Sequence, residues 1–267
     1  MESIKGEQRN QLKAIFNQAL RKKTLRDINS FRLRKRLRAT RVFIMFSSFY
    51  DSNQIMKLLR DKPAVRLAAL DSLARVSNEE AISQIFNVFI KDPDPNIQEY
   101  MNVLFSLGQK AEHLIKIYLK KPLSNKKLAL LIEITGAIPL PNLYPELLRF
   151  LEHQEMEIRT KLARALGNLN TPLSEIRKAL MKLARDKAWQ VRAQALKSLG
   201  NLQNFQALDL LTESLFSPHW HCRRNAGFAL LKLGQKGFKR LQQIANQKKD
   251  KYAAEMAQMV LEESIIT

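Results

Sequence analysis

A nine-residue pattern recurs about every 31 residues, and a chain with that period is restricted to repeat architectures. The clearest copy runs Val65-Arg66-Leu67-Ala68-Ala69-Leu70-Asp71-Ser72-Leu73. Val191 to Leu199 matches it position for position, Ile158 to Leu166 is a third copy, and Cys222 to Leu230 a fourth. Ile97 opens a weaker copy and Lys127 a degenerate one, so leading positions stand 32, 30, 31, 33 and 31 residues apart. A small residue four places on and a large apolar residue eight places on share one helix face. The small residue lets a neighbouring helix approach closely.

The punctuation has the same period. Gly108, Gly136, Gly167, Gly200 and Gly234 are spaced 28, 31, 33 and 34 residues apart. Each follows an apolar helical pattern, which predicts a helix-ending residue of positive φ. Pro63, Pro93, Pro95, Pro122, Pro139, Pro141, Pro145, Pro172 and Pro218 fall between such patterns or at helix starts, where a missing N–H matters least. Between the copies lie second amphipathic segments, such as Ile82, Ile85, Phe86, Phe89 and Ile90, or Leu173, Ile176, Leu180, Leu183 and Ala184. No segment alternates with the period of a strand. Two stacked helices per repeat make an α-solenoid.

The Asp61-x-x-x-Val65-Arg66-x-x-Ala69 pattern with its closing small residue resembles the short bacterial HEAT repeats, including the type named after phycobilisome lyases. The resemblance covers roughly residues 61 to 249. It implies an all-α, right-handed α-solenoid of about six to seven stacked HEAT-like hairpins. In that family the arginine after the leading position pairs with an aspartate near the hairpin entry and ties repeats together. Arg66, Arg159, Arg192 and Arg223 take that position here, and Asp61 and Asp186 sit suitably upstream of Arg66 and Arg192. Asp250-x-Tyr252-Ala253-x-x-Met256-Ala257, following Trp220-x-Cys222-Arg223, is also similar to the last repeat of HEAT proteins tethered to the bacterial inner membrane. The transmembrane helix that precedes the solenoid in those proteins is not in this sequence, so tethering is not carried over.

The expected organisation is a basic N-terminal helix over 1–28, a diverged first hairpin over 29–60, HEAT-like repeats over 61–249 and a capping helix over 250–267. Tyr252, Met256 and Met259 are expected on the apolar side of that cap.

Charge carries the strongest functional signal. The net charge is +20. Residues 1–60 hold 15 Lys and Arg against 4 Asp and Glu, more than half of that excess. Arg21, Lys22, Lys23, Arg26, Arg32, Arg34, Lys35, Arg36, Arg38 and Arg41 crowd into 21 residues with only Asp27 opposing. Like charges at i,i+4, such as Arg34 and Arg38, destabilise a helix, so an acidic surface that offsets the repulsion is expected. The second helices add Lys116, Lys120, Lys121, Arg177, Lys182, Arg185, Lys239 and Arg240. If second helices line the concave side, as in HEAT proteins generally, that groove is basic as well.

Other constellations are weaker. Trp189 and Trp220 share one repeat position, which favours packing between repeats over a stacking platform for a base. His219-x-His221-Cys222 resembles metal ligands, but a zinc site needs three or four, and His113 and His153 sit in other repeats. No metal and no cofactor are expected. Neither a P-loop, a nucleophile elbow, a dinucleotide fingerprint nor a zincin helix is present. One cysteine excludes an internal disulfide and points to reducing surroundings. The first seven residues lack the apolar stretch of a signal peptide.

These features point to a non-enzymatic scaffold or adaptor, cytoplasmic or peripheral to the inner membrane. It would bind an acidic protein partner, or an anionic membrane surface, through the basic end and the groove. Two alternatives stay open. One is sequence-nonspecific nucleic-acid binding, with the HEAT-like DNA glycosylases as its enzymatic form. The other is a bilin-lyase-like chaperone or enzyme.

Overall fold

The computed structural model describes residues 7–46, 52–93, 96–138, 140–169, 171, 173–247 and 249–266. Pro95, Pro139 and Pro172 lie outside these, as do residues 1–6 and 47–51 of the expected basic helix and first hairpin. Every regular element among the described residues is helical, and none is long and apolar enough to cross a membrane. The chain divides into two units, residues 1–114 and 115–267.

In the first unit, α1 (Glu7–Ile15) continues through a π-helical stretch, Phe16–Arg21, into α2 (Lys22–Ile28). Helices α3 (Leu33–Phe46) and α4 (Ser52–Met56) follow, α4 ending in a 3-10 turn over Lys57–Arg60. Next come α5 (Pro63–Val76), α6 (Glu79–Lys91) and α7 (Ile97–Leu107). Local chemistry sets several boundaries. Pro63 opens α5, and the Asn78 side chain caps α6 by accepting from the Ala81 N–H at 2.8 Å. Helix α3 packs on α5, and α5 on α7. Ala39 and Phe43 of α3 are buried, as are Val65, Ala69 and Leu73 of α5.

Helix α8 (Glu112–Leu119) runs across the division between the units. The second unit then alternates first and second helices. The first helices are α9 (Asn125–Ala137), α11 (Met156–Asn168), α13 (Trp189–Asn201) and α15 (Trp220–Lys232). The second are α10 (Tyr144–Leu148), α12 (Ser174–Leu183), α14 (Leu208–Ser214) and α16 (Gln235–Ala245), and α17 (Lys251–Ile266) closes the row. Each first helix packs directly on the next, and α15 packs on α17.

The glycines explain that row, by a mechanism other than the expected one. Gly108 and Gly234 do end helices with φ of 57° and 64°. Gly136, Gly167 and Gly200 instead lie buried within α9, α11 and α13. A Cβ on Gly136 would stand 2.6 Å from Cα of Ala165, and one on Gly200 would stand 2.6 Å from Cα of Ala229. At Gly167 it would collide with the Ser198 side chain. In each case the glycine nine places after a leading position meets the residue seven places after the next one. The period is therefore fixed by backbone approach between repeats.

These three contacts each join first helices of successive repeats. Second helices of neighbouring repeats touch far less.

The cap also differs from expectation. Ala253, Met256, Ala257 and Val260 form the buried side of α17, whereas Tyr252 is exposed and Met259 half-buried. The Arg223 guanidinium lies 5.4 Å from the Tyr252 ring centroid.

Candidate partner-binding surfaces

The repeated arginines form an internal clamp. Arg159 donates through Nε and Nη2 to both carboxylate oxygens of Asp186, at 2.6 and 2.9 Å. Its Nη1 donates to the carbonyls of His153 and Gln154, at 2.6 and 2.9 Å. The side chain is 5% exposed. Asp186 also accepts from the Ala188 N–H at 2.8 Å, which fixes the turn into α13. Burial alone would raise the pKa of Asp186, but Arg159 and that N–H outweigh it and hold the carboxyl below its ordinary value. The bond to Asp186 raises Arg159 in turn.

Arg36 makes the same set of contacts. It donates to both oxygens of Asp61 at 2.6 and 2.9 Å, and to the carbonyls of Ser30 and Phe31 at 2.7 and 3.0 Å. The bond from Arg36 holds Asp61 below the usual carboxylate range. Arg36 thus leaves the set of partner-binding cations in which its position in a basic run had placed it. The sequence held a sign of this: Ala39 and Phe43 follow Lys35 at the spacing of the other copies, but a lysine in the leading position hides the repeat.

The aspartates face the opposite way from the expected pairing. Asp61 pairs with Arg36, not Arg66, and Asp186 with Arg159, not Arg192. Arg66 pairs with Asp92 at 3.1 Å. Each bridge joins the start of a first helix to the end of the second helix in the same hairpin. Arg192 and Arg223 keep the main-chain half of the clamp, donating to carbonyls of Asp186 and Lys187 and of Ser217 and Pro218.

The rest of the N-terminal cluster faces solvent. Arg21, Lys22, Lys23, Arg26, Arg32, Arg34, Arg38 and Arg41 are exposed, and Lys35 is half-buried. Asp27 is buried and sits 3.6 Å from Arg38. Phe31, between α2 and α3, is fully exposed. Its main chain is held by Arg36 while its ring projects into water. Gln154, Lys187 and Pro218 stand at the same place relative to their own arginines, so the turn itself does not require an aromatic residue there.

The second-helix cations are partly engaged. Lys116 and Lys120 each reach the buried Glu146 at 3.6 Å. Lys182 pairs with Glu152, which it holds below the ordinary pKa. Arg185 is exposed and Arg177 half-buried.

Trp189 stacks with His219 and His221 of the next repeat, with ring centroids 5.4 and 5.3 Å away and interplanar angles of 17° and 7°. Trp220 is 48% exposed. Cys222 is buried and its Sγ contacts the Trp189 carbonyl at 3.4 Å. Among the described residues no three His, Cys, Asp or Glu side chains converge as metal ligands.

A family model of HEAT repeats matches residues 176–262. No curated protein matches the chain. Among solved structures, YibA of Escherichia coli aligns over 100% of both chains at 15% identity with a TM-score of 0.52. An engineered protein aligns over 90% of this chain and 77% of its own at 17% identity, TM-score 0.47. The CpcE–CpcF complex of phycocyanin lyase from Nostoc covers 90% of this chain and 92% of that chain at 18% identity, TM-score 0.39. These likenesses concern the fold. The match assigns HEAT repeats to residues 176–262, and the helix hairpins and glycine-mediated stacking run through the second unit in the same helical-repeat fold.

Proposed function

We propose that this protein is a non-enzymatic interaction module whose N-terminal end binds an acidic surface of a protein partner. One observation carries the reading: eight exposed cations between Arg21 and Arg41 face solvent, with their one neighbouring acid, Asp27, buried. Such a patch steers acidic partners and raises association rates at low salt. Phe31 supplies an apolar anchor among the cations. Aromatic and arginine side chains carry much of the energy where proteins meet. Binding relies on surface complementarity, with no bond chemistry.

The experiment compares the wild type with an Arg26, Arg32, Arg34, Arg41→Glu variant in cross-linking pull-downs. Arg36 is left intact because reversing it would break the Asp61 clamp. The charge-reversed protein should keep its melting temperature and lose its captured acidic protein. Flotation with anionic liposomes and mobility shift with duplex DNA run beside it. Charge-dependent binding to either one alone, near physiological salt, would replace the protein partner with membrane or nucleic acid. Equal capture by both variants would overturn the role of the N-terminal end.

A further inference from the structure

The first-helix layer of the second unit holds a cleft of about 240 Å³. It is lined by Lys197 of α13, Arg224, Asn225, Phe228 and Lys232 of α15, and Glu263 of α17. We propose that this cleft receives an acidic peptide segment of a partner protein, with carboxylates held by Lys197, Arg224 and Lys232 and an apolar side chain resting on Phe228.

The shape suits a side chain better than a small molecule. Ligand pockets that enclose drug-sized molecules measure roughly 300–1,000 Å³. This cleft is smaller and open, about the size of one or two residues on a strand of peptide.

The charge is complementary. Three cations line the cleft against one carboxylate, and none of the three is ion-paired among the described residues. Arg224 is held in place without an acid. Its guanidinium lies 4.6 Å from the Phe228 ring centroid and 5.7 Å from that of Trp220. These cation–π contacts use none of its N–H donors, which a carboxylate can accept from in a bidentate pair. Lys232 donates to Asn201 at 2.6 Å, and Asn225 donates to the Ala193 carbonyl at 2.7 Å, so the cleft's polar edge is positioned across two repeats.

A peptide fits better than nucleic acid. The three cations line a single short cleft beside the Phe228 ring, whereas a phosphate backbone is bound by cations spread along a longer track. Glu263 places one carboxylate of the chain itself in the lining, where it opposes an acidic ligand and lowers the net charge of the cleft.

The first-helix layer extends the surface. Lys161 and Arg164 of α11 project from it, although both meet Glu133, at 2.6 and 3.6 Å. They would therefore add less than the cleft's own cations.

The test uses the full chain and a fluorescein-labelled pentapeptide of four glutamates around a central leucine. Fluorescence anisotropy should give saturable binding that weakens with salt. Replacing the glutamates with glutamine should abolish it. Arg224→Ala and Lys232→Ala should each weaken binding about tenfold, as loss of a hydrogen bond to a charged group does. Glu263→Gln should tighten it several-fold. All three residues reach solvent, and unchanged melting curves would show that the variants fold. The N-terminal charge-reversed variant should bind the peptide like wild type, which separates this site from the reading above. Absence of saturable binding, equal binding of the glutamine peptide, insensitivity to both Arg224→Ala and Lys232→Ala, or displacement of the peptide by a single-stranded oligonucleotide at lower concentration than by unlabelled peptide would each overturn the proposal.

Discussion

Gly200 of α13 lies against Ala229 of α15 so closely that a Cβ on the glycine would stand 2.6 Å from Cα of Ala229. Helix propensity says that alanine should stabilise this position, since glycine in a helix interior is unfavourable by about 1 kcal/mol. The packing says the reverse. Neither partner atom is the end of a flexible side chain, so the helices must move apart. Gly200→Ala should destabilise the protein by about 1–3 kcal/mol, as overpacked cores do. Urea titration followed by circular dichroism measures it. A gain in stability would refute backbone approach as the origin of the period.

Arg159 should not be replaceable by lysine. One guanidinium serves two carboxylate oxygens and two carbonyls, and an ammonium offers no matching planar fork. Arg159→Ala leaves Asp186 without its charge partner, and breaking a buried pair in this way costs roughly 3–5 kcal/mol. Arg159→Lys should recover less than half of that loss in the same titration. Full recovery would mean that charge alone matters.

The clamp also sets an acid limit. Asp61 and Asp186 are both held below their ordinary pKa, so the folded state favours the ionised form. Their contribution is complete above the ordinary carboxylate pKa of about 4 and is lost as pH falls through the lowered values. The melting-temperature gap between wild type and Asp186→Asn should be constant from pH 7 to pH 5 and narrow at lower pH. A gap that widens below pH 4 would contradict the assignment.

Cys222 fills the leading position of its repeat and is buried. A thiol reagent such as dithionitrobenzoate should react with it only after unfolding, because a shielded thiol cannot reach the reagent. Cys222→Val should preserve the fold to within about 1.5 kcal/mol, the usual limit for apolar swaps of similar volume. Rapid reaction in native buffer would place the thiol at the surface.

The period and the helical class were legible because they rest on local chemistry. Pro63 and Asn78 mark helix starts wherever they occur, and the apolar steps through Ile82, Ile85, Phe86 and Phe89 need one buried face. What Gly136, Gly167 and Gly200 do was not legible. A glycine that ends a helix and one that admits a neighbouring helix look alike in a sequence, and only the neighbour tells them apart. The same holds for Arg36 in its basic run and for the pairing of Asp61 and Asp186. Each partner lies 25 to 27 residues away, brought in by the hairpin. The cleft beside Arg224 was equally hidden, since α13, α15 and α17 each contribute to it. The sequence by itself thus determined a basic, helical, repeating chain, because charge, propensity and period are properties of single segments. Tertiary structure decided which glycines touch, which arginines are clamped and which stay exposed, because those outcomes depend on distances between segments that stacking alone creates.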